Sequence, residues 1–504
     1  MNGPLHPHFP YDDTETTESY LRRLSLYHTG RGGPDLLADF GINLRDFSSG
    51  AADALATLAN ITGVEAHRLR AGMFLHRPRY REFRDEVVSI DFVRAEGAVV
   101  CPECLREDAA DWHRWSPKGR ISWRMRALQT CPYHNCRLVQ TGGVAAEKDP
   151  SDVFIMLERI CELEVEPQVP TALEQSILNR LNGTDTSAGE WLDTQTIEQG
   201  VRACEMVGAT LTHGLTFTVK ALTAEDWRQA GDAGFEIARG GAEAMTAALS
   251  QIAAMSTTKA GQAGPKAVYG RLYEWLAYNS PVPDPGPIRG LLRENILNTM
   301  VIEPDEVLLG ERVQERRLHS VYSLSIATRL HLKRLRKILV QAGVTDEETW
   351  DIAANRLVFP VAEAERLCAD IMDSVSLQQL PEAIGCSRTQ AESLYQEGVL
   401  RPVVEPDALR GISKLAFARR NLEAFLSIIE KLPVAFPGQP DLVDFTSASK
   451  RTGRSTGDIM ARVISGDLEA LRDGRQVTVN SIRFSLSDLD PIRTRQPRSV
   501  EISD

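Results

Sequence analysis

The chain has 504 residues, of which 42 % are hydrophobic and 25 % charged, with a formal net charge of −12 and eight cysteines. That length exceeds one compact core and implies about three to five domains. Composition is that of a globular protein, and no run of about eighteen apolar residues offers a membrane span. The acidic balance excludes a chain that is basic all over and coats nucleic acid, while leaving room for a local basic face.

The opening "MNGPLHPHFPYDDTETTESY" is polar and acidic and lacks the basic start and apolar core of a signal peptide. A cytoplasmic location with reduced cysteines is therefore expected. The first candidate helix-turn-helix is "ALATLANITGVEAHRLRAG". Ala59 and Gly63 stand at the turn, and Leu55, Leu58, Ile61, Val64 and Leu69 form an apolar interior. Its second helix exposes His67, Arg68 and Arg70, and Arg68 and Arg70 are candidate DNA contacts. As a protein-binding hairpin the unit would read the same way.

Residues 101–139 carry the strongest chemical signal. Cys101, Cys104, Cys131 and His134 give C-x2-C followed by C-x2-H. Each pair closes on one ion from one turn, and two pairs make the closed tetrahedral site of structural zinc. Pro102 and Pro132 stiffen both turns. A thioredoxin-like pair would have no matching second pair, and a catalytic zinc would keep an open position. Cys136 is spare and reads as a buried free thiol. Between the pairs, Trp112, Trp115 and Trp123 alternate with Arg114, Lys118, Arg120, Arg124 and Arg126. Such a mixture suits either the small core a knuckle needs or a nucleic-acid surface; Trp123 reads as core.

These residues resemble a known family. "CPECLRED…SW…CPYHNCRLV" is similar to the TniQ family of TnsD-like transposon target-selection proteins, with its C-P-x-C-L start, central Trp and C-P-x-H-x-x-x-L end. "PHFPYDDTETTESYLRRL" resembles the family's opening, with Glu15, Ser19, Tyr20 and Arg23 at matching positions. The resemblance implies a bacterial, non-catalytic adaptor on double-stranded DNA that recruits an AAA+ transposition ATPase and, through it, the transposase. It further implies that some members dock on a CRISPR effector complex and that a homodimer forms.

The middle of the chain is less informative. "GGAEAMTAALSQIAAMS" has helical period, and "NSPVPDPGPIRG" is a proline-rich break. Beyond it, a pattern of helix, turn, helix, closing turn and hairpin recurs. In "YSLSIATRLHLKRLRKILVQAGV", Ala327 is followed by His331 where a turn Gly would stand, and Leu324, Ile326, Leu330, Leu335, Ile338 and Leu339 supply the core. Lys333, Arg334, Arg336 and Lys337 are candidate DNA contacts, with no acid between Tyr322 and Val344. In "SLQQLPEAIGCSRTQAESLYQEGVLRPV", Gly385 marks the turn, Ser387 caps, and Arg388, Thr389 and Gln390 face out. In "FTSASKRTGRSTGDIMARVISGDLEAL", Gly453 marks the turn, Ser455 caps, and Arg454 and Thr456 are the candidate contacts. Asp473-Gly474 reads as the tight turn of a hairpin wing.

The expected fold is mainly α and multidomain. It comprises a TniQ-like domain with helix-turn-helix and zinc knuckle at 1–144, a helical middle region at 145–310, and a basic helix-turn-helix unit at 311–370. Winged-helix-like units follow at 371–435 and 436–490, with a disordered tail at 491–504. Second helices of such units fit the major groove, where their first side chains reach base edges. A stand-alone transcription regulator would share these units but also need a dimerisation or ligand domain, and no clear one is seen. An enzyme is disfavoured, because "GQAGPKAVYG" fails as a phosphate loop at Pro265 and no carboxylate triad stands out.

Overall fold

The computed structural model describes residues 4–95, 99–110, 113, 115–140, 165–184, 187–257, 263–278, 284–345, 352–405, 415–436, 438–474 and 476–492. Trp112, Arg114, the start of the middle region (145–164), part of the proline-rich break (279–283) and the tail from 493 lie outside the described residues. The chain divides into two compact units. One holds Met1–Asn298 with Asp305–Val313, the other Thr299–Pro304 with Gln314–Asp504. The boundary expected at 144/145 falls inside the first unit. That expected at 310/311 cuts a hairpin, Val307–Leu308 paired with Glu311–Arg312.

The first unit opens with α1 (Thr17–Thr29), α2 (Gly33–Asp39), α3 (Leu44–Ser49), α4 (Ala52–Thr62) and α5 (Ala66–Ala71). Leu55, Leu58 and Ile61 on α4 and Leu69 on α5 bury against Tyr20 and Leu24 of α1. Gly63 ends α4 at φ 72, a left-handed conformation that costs glycine nothing. The expected helix-turn-helix is therefore present. A feature absent from the sequence reading follows it: an antiparallel sheet of β1 (Leu75–His76), β2 (Arg81–Phe83) and β3 (Glu86–Val88). The knuckle comes next, with β4 (Val99–Val100), α6 (Pro102–Asp108), α7 (Ile121–Arg124), β5 (Thr130–Cys131), β6 (Cys136–Arg137) and β7 (Val139–Gln140).

The longer helices described in the rest of this unit are α8 (Ala172–Leu181), α9 (Ile197–His213), α10 (Ala224–Ala238), α11 (Gly241–Ala254), α12 (Pro265–Ala277) and α13 (Ile288–Thr299). Two buried carboxylates dock them on the knuckle region. Glu174 of α8 accepts from Gln129 N at 2.6 Å and Thr130 Oγ1 at 3.0 Å. Glu198 of α9 accepts from Ser89 N at 2.6 Å, and its neighbour Arg202 meets Asp91 at 2.8 Å. Glycines 208 and 234 let α9 and α10 cross so closely that a Cβ on either would enter the other's backbone. The middle region is thus a helical buttress of the N-terminal domain.

The second unit repeats one motif three times. A short strand enters, two helices follow across a turn, a second strand returns antiparallel to the first, and a helix exits. The first module is β10 (Leu318–Ser320), α14 (Val321–Thr328), α15 (Leu332–Gln341), β11 (Val358–Pro360) and α16 (Val361–Met372). The second is β12 (Ser374–Ser376), α17 (Leu380–Ile384), α18 (Arg388–Gln396), β13 (Ala416–Ala418) and α19 (Arg419–Glu430). The third is β14 (Leu442–Val443), α20 (Phe445–Thr452), α21 (Thr456–Ser465), β15 (Leu471–Arg472), β16 (Ile482–Ser485) and α22 (Leu486–Leu489). In each, a buried phenylalanine of the returning strand faces the entering strand: Phe359 opposite His319, Phe417 opposite Val375, and Phe484 opposite Val443. Each first helix ends on a left-handed residue, Arg329 (φ 57), Gly385 (φ 64) or Gly453 (φ 70). Arg329, not His331, therefore occupies the glycine position of the first module, at a cost of about 1–2 kcal/mol. Ile326 is 63 % exposed rather than in the core, because its side of α14 faces away from the β10–β11 pair.

The modules pack into one another. Ile338 and Ile371 of the first bury with Val404 of the second, and Arg420 meets Asp370 at 2.6 Å. The second and third share a single core. The start of α21 lies against α18: Ser455 Oγ donates to Glu397 at 3.0 Å, and Gly457 N donates to Ser393 Oγ at 2.9 Å. The expected hairpin forms between β15 and β16, but with Arg472 opposite Ile482 its connection is longer than a tight turn at Asp473-Gly474; Asn480 N donates to Gly385 O at 3.0 Å and Thr478 covers the second module's turn. A Cβ at Gly457 would meet the Ser393 carbonyl at 2.5 Å. Gly457→Ala should loosen the pair by about 1–3 kcal/mol, read as faster hydrogen exchange at the amides of α18 and α21; unchanged protection would show that the contact does not hold them.

Candidate metal centre and nucleic-acid interface

The knuckle brings Cys101, Cys104, Cys131 and His134 together, with their ligand atoms all within 4.8 Å of one another. Cys101 precedes α6, with Pro102 at its first position, and its sulfur accepts from Cys104 N at 3.4 Å. The β5–β6 hairpin supplies the other pair; Asn135 takes φ 47 at its turn and directs His134 inward. A tetrahedral zinc with ordinary bond lengths requires about 3.8 Å between sulfurs and about 3.5 Å from sulfur to nitrogen. Cys104 and Cys131 stand 3.6 Å apart, and His134 Nδ1 lies 3.6, 3.3 and 3.7 Å from Cys101, Cys104 and Cys131. The cluster therefore fits a metal ion of zinc's size and preference.

The surroundings also suit a cation. His134 turns Nε2 to Glu107 at 3.1 Å, which leaves Nδ1 toward the sulfurs. Burial opposes a charge on His134, but Glu107 and Cys131 raise its value above the usual range. Hydrogen bonds from the Cys104 and Cys131 thiols, outweighing burial, lower the Cys101 thiol below its usual value. Cys136 is buried with Sγ 3.5 Å from that of Cys101, and burial raises its thiol. It sits beside the ligand set and not among the four mutually close atoms.

Several side chains of the loop between the pairs are engaged within the domain. Trp123 is 3 % exposed. Arg120 binds Asp108 at 3.0 Å and covers the Trp123 ring, Lys118 binds Asp12 at 3.1 Å, and Arg126 lies 3.7 Å from Asp91. Arg124 is buried over the Phe74 ring. The same loop is tied to α1 by the residues of the N-terminal motif. Glu15, fully buried, bonds Arg23 at 2.7 Å and Ser19 at 2.7 Å, although burial raises its carboxyl above the ordinary value. Ser19 accepts from Gly119 N at 2.7 Å, Arg23 donates to the Trp115 carbonyl, Arg22 to that of Pro117, and Tyr20 to that of Phe9.

The candidate DNA contacts fare unequally. Lys333 and Arg334 stand exposed on the first turn of α15, with no ion pair among the described residues. Arg336 is half-buried and donates to the Ile352 carbonyl, and Lys337 is also half-buried. On α18, Arg388 is exposed and pairs with Glu392 of the same helix at 3.0 Å, and Thr389 is exposed. Gln390 is spent on a capping box with Ser387. On α21 the expectation fails. Thr456 is 8 % exposed, because the helix start packs on α18, and Arg454 is held by Asp458 at 2.6 Å and the Ile492 carbonyl. On α5, Arg68 makes a bidentate pair with Asp13 at 2.9 Å, and Arg70 is bound by Glu82 and Asp85. None of these three arginines is a free cation. Arg454 is paired locally, four residues along its own chain segment, whereas the partners of Arg68 and Arg70 lie where local sequence patterns do not reach.

Two outcomes follow from this geometry. Purified protein should carry one zinc per chain and lose it on Cys104→Ser, while Cys136→Ser retains it, as metal analysis will show; equal loss in both would place Cys136 among the ligands. Arg23→Ala, which strands a buried carboxylate, should destabilise the N-terminal domain by about 3–5 kcal/mol, seen as a lower denaturant midpoint and faster proteolysis at 115–121. No curated protein matches the chain. Residues 4–138 match the model of the family described as TniQ, a span that begins in the N-terminal arm and ends at the closing Leu138 of the knuckle.

Proposed function

We propose that the chain is a non-catalytic target-selection adaptor of a TniQ/TnsD-type transposition system, which binds double-stranded DNA through its C-terminal modules and recruits the transposon's AAA+ ATPase. The observation that carries this reading is the pairing of a TniQ domain with three helix-turn-helix modules. Structural zinc at Cys101, Cys104, Cys131 and His134 stabilises the knuckle and performs no chemistry. The foremost DNA-facing element is α15, where Lys333 and Arg334 are free to neutralise phosphates and the exposed Arg329 and His331 lie just before them. Arg388 and Thr389 on α18 form a second contact. Arg336 and Lys337 support α15 from its flank. A chain with its own DNA-reading modules selects a site directly, without requiring a CRISPR effector complex.

The test is selection of the purified chain against a pool of duplex fragments at physiological salt. Enrichment of one sequence supports the reading, and sequence-blind binding would assign targeting to a partner. On the enriched site, Lys333→Ala with Arg334→Ala should lower the slope of log affinity against log salt by about two. An unchanged slope would remove α15 from the interface.

A further inference from the structure

The charge on the N-terminal helix-turn-helix is displaced from its second helix to the sheet behind it. Arg68 and Arg70, the cations of α5, are neutralised by Asp13, Glu82 and Asp85. The exposed Glu65 and His67, at the start of α5, lie 3.5 Å apart and face each other. The β1–β2 hairpin is built differently. Its turn reads Arg77-Pro78-Arg79-Tyr80, and its strands pair His76 with Arg81. Arg79 is exposed and makes no ion pair among the described residues. Arg81 bonds only carbonyls, of Arg77 and Tyr80.

The hairpin is also rigidly held. Glu82, on the face of β2 opposite Arg81, binds Arg70 of α5 and, at 2.7 Å, Arg77, whose Nη1 also reaches the Ser49 carbonyl at 2.7 Å. Phe74 and Phe83 stack at 4.4 Å on the Arg81 face, and the Arg124 guanidinium covers Phe74 at 4.8 Å. Burial, together with the Arg81 and Arg124 charges, lowers His76 below its usual value, and burial with Arg124 lowers Arg81. Arg79 and Arg81 thus present their charge on an antiparallel ribbon beside the helix-turn-helix, with no ion pair to either among the described residues.

We infer that this hairpin is the nucleic-acid-contacting wing of the N-terminal domain, and that Arg79 and Arg81 bind backbone phosphates of duplex DNA. The site lies in a different unit from α15, and it rests on the DNA-binding reading above. Phosphate binding needs point charges on a rigid support and no base-specific pocket, which is what the ribbon provides. Its contribution is sequence-independent and salt-sensitive.

The experiment uses the full chain and a single duplex that the unaltered protein binds. Arg79→Ala with Arg81→Ala should reduce the salt slope by about two, so that affinity lost between 50 and 200 mM salt shrinks by about tenfold. Arg79→Lys with Arg81→Lys should keep the slope, and zinc content equal to that of the unaltered chain establishes that the domain remains folded. If the unaltered chain binds duplex DNA and the alanine variant keeps both slope and affinity, the wing assignment is wrong. If the unaltered chain binds no DNA, the DNA reading itself falls and the wing with it. A slope change confined to RNA hairpins, with none on duplex DNA, would overturn the assignment in favour of an RNA partner.

Discussion

The N-terminal domain depends on one buried ion pair. Glu15 and Arg23 lie eight residues apart on the entry to α1 and along it, yet their hydrogen bonds lead to the loop between the two halves of the knuckle. Taking both charges out of water costs several kcal/mol per ion before the pair forms. The pair is therefore a poor way to gain stability and a good way to fix a position, because every alternative packing leaves a charge stranded. It aligns the backbone of 115–121 so that α6 and the β5–β6 hairpin meet with the ligand spacing a small cation needs. Metal binding and the ion pair thus constrain the same loop from its two ends.

The same logic governs the joints elsewhere. Glu174 and Glu198 each collect several donors at the seam between knuckle and helical buttress. Once such a carboxylate is buried, sliding one layer over the other would leave it unsatisfied. In the second unit the joints are made by close approach instead, with Gly457 against Ser393 and Thr478 over Gly385. Glycine is required by space at both positions, and at Gly385 by its left-handed backbone as well. Both devices convert separate motifs into continuous bodies, which is why sequence boundaries drawn at 144/145 and 310/311 do not fall at the division between compact units.

What was legible in the sequence was local. The turn glycines 63, 385 and 453, the caps Ser387 and Ser455, the cysteine and histidine spacing and the burial of Trp123 all follow from neighbours a few residues away. What was illegible was the identity of distant partners. Arg68 looks like a free cation until Asp13 is folded beside it, and Thr456 looks like an exposed first-turn residue until α18 covers it. Gln390 was legible in principle, because Ser-x-x-Gln is a capping-box spacing, and a side chain committed to the N-cap amide is not free to read a base. The β1–β3 sheet escaped notice because its strands are two or three residues long, too short for alternation to show.

Charge bookkeeping along the helix-turn-helix units separates scaffold from surface better than motif matching does. Four such units share a fold, and three end their first helix on glycine. The first C-terminal module keeps Arg329 in that left-handed position despite the backbone strain, and its second helix begins with two exposed cations. The third module has the glycine and the cap, yet its helix start is buried and its arginine internally paired. Strain retained where charge is free, and charge neutralised where packing is tight, divides the modules by role. The first leaves its charge exposed to solvent, and the third spends its charge within the fold.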